Sequence, residues 1–184
     1  MAHETDDKTS ETKSDAPSVR TRIPLHRPDI TDLEIDATRT VLKSGHLAGD
    51  GVTTRRCESR LEDSVGVPRA LLTTSCTHAL EMASILLELE PGDEVIVPAF
   101  TFVSTVNAFM LRGARPVFVD VRADTLNLDE SKLEAAITEK TKAIVVVHYA
   151  GIACELDVIG DIAARRGIAV IEDNAHGLFG AYRG

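Results

Sequence analysis

AIVVVHYAGIACELDVIGDIAARRGIAVIEDNAH, residues 143–176, decides the fold. Ala143–Tyr149 is a short apolar run that reads as a buried strand. Leu156–Arg166 reads as a helix closed by Gly167, and Ala169–Asp173 as a second buried strand. Outward from this unit the alternation repeats. Pro116–Val121 (PVFVDV), Glu94–Pro98 (EVIVP) and Ala70–Thr73 read as further short strands. Helices are expected over Asp29–Lys43, Thr53–Ser64, Thr77–Leu89, Ser104–Arg112 and Asp129–Ile137, with Pro91-Gly92 ending the third of them. Five short apolar strands, most separated by helices, predict an α/β fold: a mostly parallel sheet with helices on both faces. Right-handed crossovers bring every strand's C-terminal end to one edge, and ligands bind just outside that edge.

Composition narrows the function. The chain has 184 residues, 43% hydrophobic and 27% charged, with a formal net charge of -9. No apolar run approaches the roughly 18 to 20 residues that span a bilayer, so no membrane partner is expected. A nucleic-acid partner is not expected either, because Arg55-Arg56 and Arg165-Arg166 are isolated pairs rather than a basic face. Cys57, Cys76 and Cys154 are odd in number and form no CxxC pair, which argues against a disulfide framework or structural zinc. With no apolar leader at the N-terminus, the reading is a cytoplasmic protein. Residues 1–22 are polar, charged and Ser/Thr-rich and are expected to be a disordered tail. Residues 23–184 are globular in composition.

The strand ends carry the chemistry. Thr73-Thr74-Ser75-Cys76-Thr77 precedes a helix, where unpaired N–H groups and the helix dipole suit a phosphate. An ordinary Ser/Thr N-cap is the competing reading. Phe100 and Phe102 follow the next strand and suit either a planar ring or the core, with core packing the better reading for each taken singly. His148 follows VVV, where a lone histidine is more often a satisfied core residue. Glu172 and Asp173 end the last strand, and two acids there need partners. Asp173 suits a protonated heteroaromatic nitrogen, as in pyridoxal phosphate (PLP) enzymes, and His176 follows three residues later. Loop capping by Asp173 and a surface His176 are the alternatives. No GxGxxG follows a strand, which argues against a dinucleotide. No HExxH-like spacing joins His148, Asp173 and His176, so no metal is expected.

At these residues the chain resembles the DegT/DnrJ-type nucleotide-sugar aminotransferases, which are fold-type I PLP enzymes. The resemblance runs from Ile23 to Gly184 through SGHLAGDGVTTRRCE, LLTTSCTHALEMA, PGDEVIVPAFTFVSTVNAF, GARPVFVDV, TLNLD, AITEKTKAIVVVHYAG and IEDNAHG. Within the family, CTHALEMA, FTFVSTVNAFMLRGA and VVHYAGIACELD are most similar to the members that aminate TDP-4-keto-6-deoxyglucose. The resemblance implies pyridoxal 5'-phosphate as cofactor. Cys76, where the family often has Gly, and Thr77 would bind its phosphate. Phe102 would stack on its ring, Asp173 would pair with the ring nitrogen and His176 would meet the ring hydroxyl. Leu47, Gly49 and Gly51 of the GHLAGDG loop would lie near the sugar nucleotide, with His148 also assigned to the substrate side. The implied partners are a nucleotide sugar, an amino-acid donor (usually glutamate) and a second copy of the chain in a homodimer.

One element of the family pattern is missing. The Schiff-base lysine is expected downstream of the IED motif, and none of Lys8, Lys13, Lys43, Lys132, Lys140 and Lys142 matches that place. The expectation is therefore an N-terminal portion of the PLP-binding large domain, an incomplete fold-type I unit without the C-terminal small domain or a catalytic lysine. It should not transaminate alone, and it should show an unpaired sheet edge and exposed apolar surface. A lysine-free binding protein and one half of a split enzyme are the alternatives.

Overall fold

Val95 and Val97 face one side of the strand Glu94–Pro98 (β1), Ile96 faces the other, and all three are fully buried. A strand apolar on both faces needs cover on both, which is how strands of parallel sheets are built. The computed structural model describes residue 24 and residues 27–183. Its helices are Asp32–Ser44 (α1), Val52–Val65 (α2), Cys76–Leu86 (α3), Val103–Met110 (α4), Leu133–Ala136 (α5) and Leu156–Arg166 (α6). Its other strands are Arg115–Val119 (β2), Thr141–Val147 (β3) and Ala169–Asp173 (β4). The sheet order is β2-β1-β3-β4, and every neighbouring pair is parallel. In β3, Ala143 and Val145 join Val95 and Val97 in one apolar layer with Leu80, Ala108 and Phe109 of α3 and α4. Ile144 and Val146 join Ile96 in the opposite layer with Leu133 of α5 and Ile159, Ile162 and Ala163 of α6. The parallel α/β architecture with helices on both faces is as the sequence predicts. β2 and β4 are the edges, and Pro116, which lacks a ladder donor, lies in edge strand β2.

The chain divides into two compact units, residues 1–47 and 48–184. In the first, α1 opens with a capping box. Thr31 Oγ1 accepts the Leu33 N–H, and Glu34 Oε2 accepts the Thr31 N–H at 2.7 Å. The helix stops at Gly45, whose φ of 72° is the left-handed turn that glycine adopts without steric cost. The expected disordered tail, residues 1–22, lies outside the described residues. The second unit holds the sheet.

Three element expectations are corrected. Ala70–Thr73 is not a strand. The Ala70 and Leu72 N–H groups donate to Glu62 and Glu58 of α2, at 3.1 and 3.0 Å, instead of to a neighbouring strand, and Leu71 is exposed. The sheet thus has four strands, not five. The helix expected over Asp129–Ile137 is a single 3-10 turn, Glu130–Lys132, followed by the one-turn α5. Asp129 caps that turn by accepting the Ser131 N–H. β3 ends at Val147 rather than Tyr149, because the chain leaves the ladder at His148 and turns through a 3-10 segment at Tyr149–Gly151.

Candidate active site

Asp173 is the last residue of β4, and its carboxylate is buried at the C-terminal edge of the sheet. Each protein group that bonds it donates. Thr105 Oγ1 donates to Oδ2 at 2.7 Å. The Cys76 thiol and the Ala175 N–H donate to Oδ1, at 3.6 and 3.3 Å. Thr105 is itself fully buried on α4 and accepts from Thr101 Oγ1 at 2.9 Å. The proton order therefore runs one way, from Thr101 to Thr105 to the carboxylate. Burial, and then the negative charge of Asp173, push the Cys76 thiol above its ordinary value, which keeps it a donor.

Cys76 and Thr77 are the first two residues of α3. Their backbone N–H groups have no partner among the described residues, as the geometry of a helix start requires. Ser75 is the N-cap, and its hydroxyl accepts the His78 N–H at 3.2 Å. The cap and the open N–H pair thus coexist at one helix start.

Phe102 stands at the N-cap position of α4 and is 71% exposed, and Phe100 is 44% exposed. Core packing, the better reading for each ring taken singly, is not what the fold shows. Phe102 and Thr77 line the same groove between α3 and α4. Phe100 packs on Tyr149 with ring centroids 5.0 Å apart.

His176 is exposed. Its Nδ1 accepts the Ala150 N–H at 3.2 Å, and its ring meets Tyr149 edge-on at 5.6 Å. Nε2 has no protein partner among the described residues. His148 is different: it is buried, Nδ1 accepts the Cys154 N–H at 3.2 Å, and Nε2 lies 2.9 Å from Glu172 Oε2. Both ring nitrogens are taken by the protein, the pattern of a satisfied core histidine. Its place beside substrate is thus not what its bonding describes.

The fold brings Cys76 to Asp173 and Thr77 to the groove of Phe102. Gly49 and Gly51 of the GHLAGDG loop make no hydrogen bond to these residues among the described residues. Leu47 is exposed and belongs to the first unit. Gly49 and Gly51 belong to the second, where Gly51 is the N-cap of α2. The lysines of the second unit are placed elsewhere among the described residues. Lys132 pairs with Asp120 and Asp129, and Lys142 with Asp93, while Lys140 and Lys142 flank the start of β3, opposite Asp173. Sequence reading missed Thr101, Thr105 and Asn127. Only the four-residue spacing of the two threonines at a helix start hinted at a shared face.

The residues present fit a phosphorylated pyridine ring: an open N–H pair for phosphate, a buried acceptor carboxylate for a ring N–H and an exposed aromatic face. Comparison with known proteins agrees. The chain is 45% identical over 166 residues to a UDP-4-amino-4-deoxy-L-arabinose–oxoglutarate aminotransferase of Shewanella sediminis, covering 88% of this chain and 42% of that protein. It therefore spans less than half the length of this curated relative. Among solved structures it is similar to an aminotransferase from Psychrobacter cryohalolentis, with 35% identity and a TM-score of 0.82 over 85% of this chain and 40% of that one. It is also similar to the E. coli GDP-4-keto-6-deoxy-D-mannose-3-dehydratase with bound hydrated PLP, with 30% identity and a TM-score of 0.83 over 89% of this chain and 43% of that one. The model of the DegT/DnrJ/EryC1/StrS aminotransferase family matches residues 28–184, and the chain belongs to that family.

Proposed function

We propose that this chain forms the cofactor-binding part of a PLP-dependent aminotransferase that aminates a 4-keto nucleotide sugar, with glutamate as donor. The observation that carries the reading is the buried Asp173 carboxylate, bonded only by donors, beside the open N–H groups that begin α3. The oxoglutarate in the relative's name is the keto acid that glutamate becomes, and that name puts its amino group at carbon 4. The TDP-4-keto-6-deoxyglucose branch, to which three stretches of the sequence are similar, also concerns carbon 4. We commit to that carbon and take TDP-4-keto-6-deoxyglucose as the specific acceptor to test. The aminotransferase relatives cited are more similar in sequence than the dehydratase, which favours amination over dehydration.

In this reading PLP supplies an electron sink that takes up negative charge at the carbon losing its proton. The protein's part is binding and orientation. The Cys76 and Thr77 N–H groups hold the phosphate at the positive end of α3. Phe102 covers one ring face. Asp173, fixed by Thr105, accepts the ring N–H and keeps that nitrogen charged. His176 directs Nε2 at the ring hydroxyl. Leu47, Gly49 and Gly51 border the sugar nucleotide, and His148 serves the substrate side only indirectly, by ordering the loop after β3. The proton-moving lysine is not supplied at the site by these residues, so the chemical step belongs to this unit joined to a lysine-bearing segment. A homodimer in the cytoplasm completes the reading. No helix among the described residues is long and apolar enough to cross a membrane.

The test is a fluorescence titration of the chain with pyridoxamine 5'-phosphate, which needs no lysine to bind. Saturable binding is expected, weakened about tenfold or more in Asp173→Asn, which loses the charge-assisted bond. Absence of saturable binding, or equal binding by the variant, overturns the reading. Glutamate-dependent turnover by the isolated chain contradicts the assignment of the lysine step to another segment.

A further inference from the structure

Asn127 is 3% exposed and is the residue before Leu128, which forms an isolated bridge with Val121. Its side chain clamps the turn after β3 from both sides. Oδ1 accepts the Tyr149 N–H at 3.0 Å, and Nδ2 donates to the Ile152 carbonyl at 2.9 Å. The two partners fix the amide's orientation, since a flipped amide would face a donor with a donor. Between the clamped residues lies Ala150, with φ 54°, a left-handed conformation unusual for alanine. That conformation presents the Ala150 N–H to His176 Nδ1. The fit is close: a Cβ added at Gly151 would stand 3.3 Å from the His176 carbonyl oxygen.

An imidazole nitrogen that accepts a backbone N–H bears no proton, so the neutral ring carries its proton on Nε2. We propose that Asn127 is a positioning residue: by holding the Tyr149–Ile152 turn it locks His176 in the Nε2–H tautomer, making the open Nε2 a donor for an anionic oxygen. Under the function proposed above, which this inference deepens, that oxygen is the ring hydroxylate of the cofactor. A histidine with the opposite tautomer would present a lone pair to that oxygen and repel it. The tautomer is a property of the protein itself and is readable without any ligand.

Nuclear magnetic resonance of the full chain, with labelled histidine ring nitrogens, reads it directly. His148 serves as the comparison, since its Nδ1 and Nε2 are bonded by the Cys154 N–H and Glu172 rather than by the Ala150 N–H. The expected result is Nε2–H at both His148 and His176. One backbone hydrogen bond of ordinary net strength biases the ratio about fivefold. In Asn127→Asp, which keeps the acceptor but sets a carboxylate oxygen against the Ile152 carbonyl, that bias is lost at His176 and kept at His148. His176 protonated on Nδ1 in the unaltered chain, or unchanged in the variant, overturns the proposal. If the variant does not fold, amide exchange in the unaltered chain decides. Slow exchange at Tyr149 and Ala150 supports the clamp, and exchange at the rate of an open loop refutes it. Failure of pyridoxamine phosphate to bind would count against the proposed function and leave these tautomer readings intact.

Discussion

The Thr105 hydroxyl donates to Asp173 at 2.7 Å across 68 positions of sequence, and both residues are buried. This bond ties the start of α4 to the end of β4, while the carboxylate's other oxygen accepts from Cys76 and the Ala175 N–H. Because Thr105 also accepts from Thr101, its single proton has one destination. Thr105→Val, nearly isosteric, leaves Asp173 Oδ2 and the Thr101 hydroxyl without that partner. It should lower stability by about 1–3 kcal/mol in urea unfolding, while Thr105→Ser, which keeps the hydroxyl, should recover most of that loss. Equal stability of Thr105→Val and the unaltered chain would show that the bond contributes nothing.

Phe102 supports the opposite separation of effects. With 71% of its surface exposed, it contributes little to the core. Phe102→Ala should change unfolding stability by no more than about 0.5 kcal/mol. A ring-stacking role worth about 0.5–1.5 kcal/mol should show as a roughly two- to tenfold weaker affinity for pyridoxamine 5'-phosphate. Loss of stability without loss of affinity would return Phe102 to a packing role.

The three cysteines should react with iodoacetamide in a set order. Cys57 and Cys76 are both exposed, and Cys57, whose thiol is not set against a carboxylate as that of Cys76 is, should be modified first. Cys76 should follow with a pH dependence displaced upward by burial and by the Asp173 charge, and Asp173→Asn should move it back down. Cys154 is buried, and burial pushes its thiol from 9.0 up to about 11. A raised folded value stabilises the fold below the unfolded value and loses that contribution as pH rises through the folded one. Stability should thus fall between pH about 9 and 11, by at most about 3 kcal/mol from this group. Cys154→Ala should flatten that alkaline limb.

Glu94 contributes to the acid limb. It is 3% exposed at the start of β1, where Arg115 and the Thr138 hydroxyl bond its carboxylate and hold it below its ordinary value of 4.5. A depressed folded value stabilises the fold above the unfolded value and loses that contribution as pH falls through the folded one. Glu94→Gln should lower stability at neutral pH and make the decline below pH about 4.5 shallower. An unchanged acid limb in the variant would exclude Glu94 as its source.

Pattern and punctuation along the chain determined much of the fold by themselves. β4 and α6 were legible to the residue, because an apolar run and a glycine after a basic last turn are local facts about the chain. The edge that carries the chemistry followed from alternation alone, since parallel strands share a C-terminal end. Asp173, His176, Cys76 and Thr77 were therefore legible as candidates. The rest depended on what lies opposite. Ala70–Thr73 has the composition of a strand, but a strand exists only where a ladder partner does, and here two glutamates of α2 take its amides. The phenylalanines after β1 are apolar like core residues, yet their position at a helix start leaves them exposed. Thr105, Asn127 and the occupied ring of His148 were decided only by tertiary structure. Their partners stand 68, 22 and 24 positions away. Periodicity records which face a residue takes within its own element. It carries no record of which distant donor the folded chain will bring to that face.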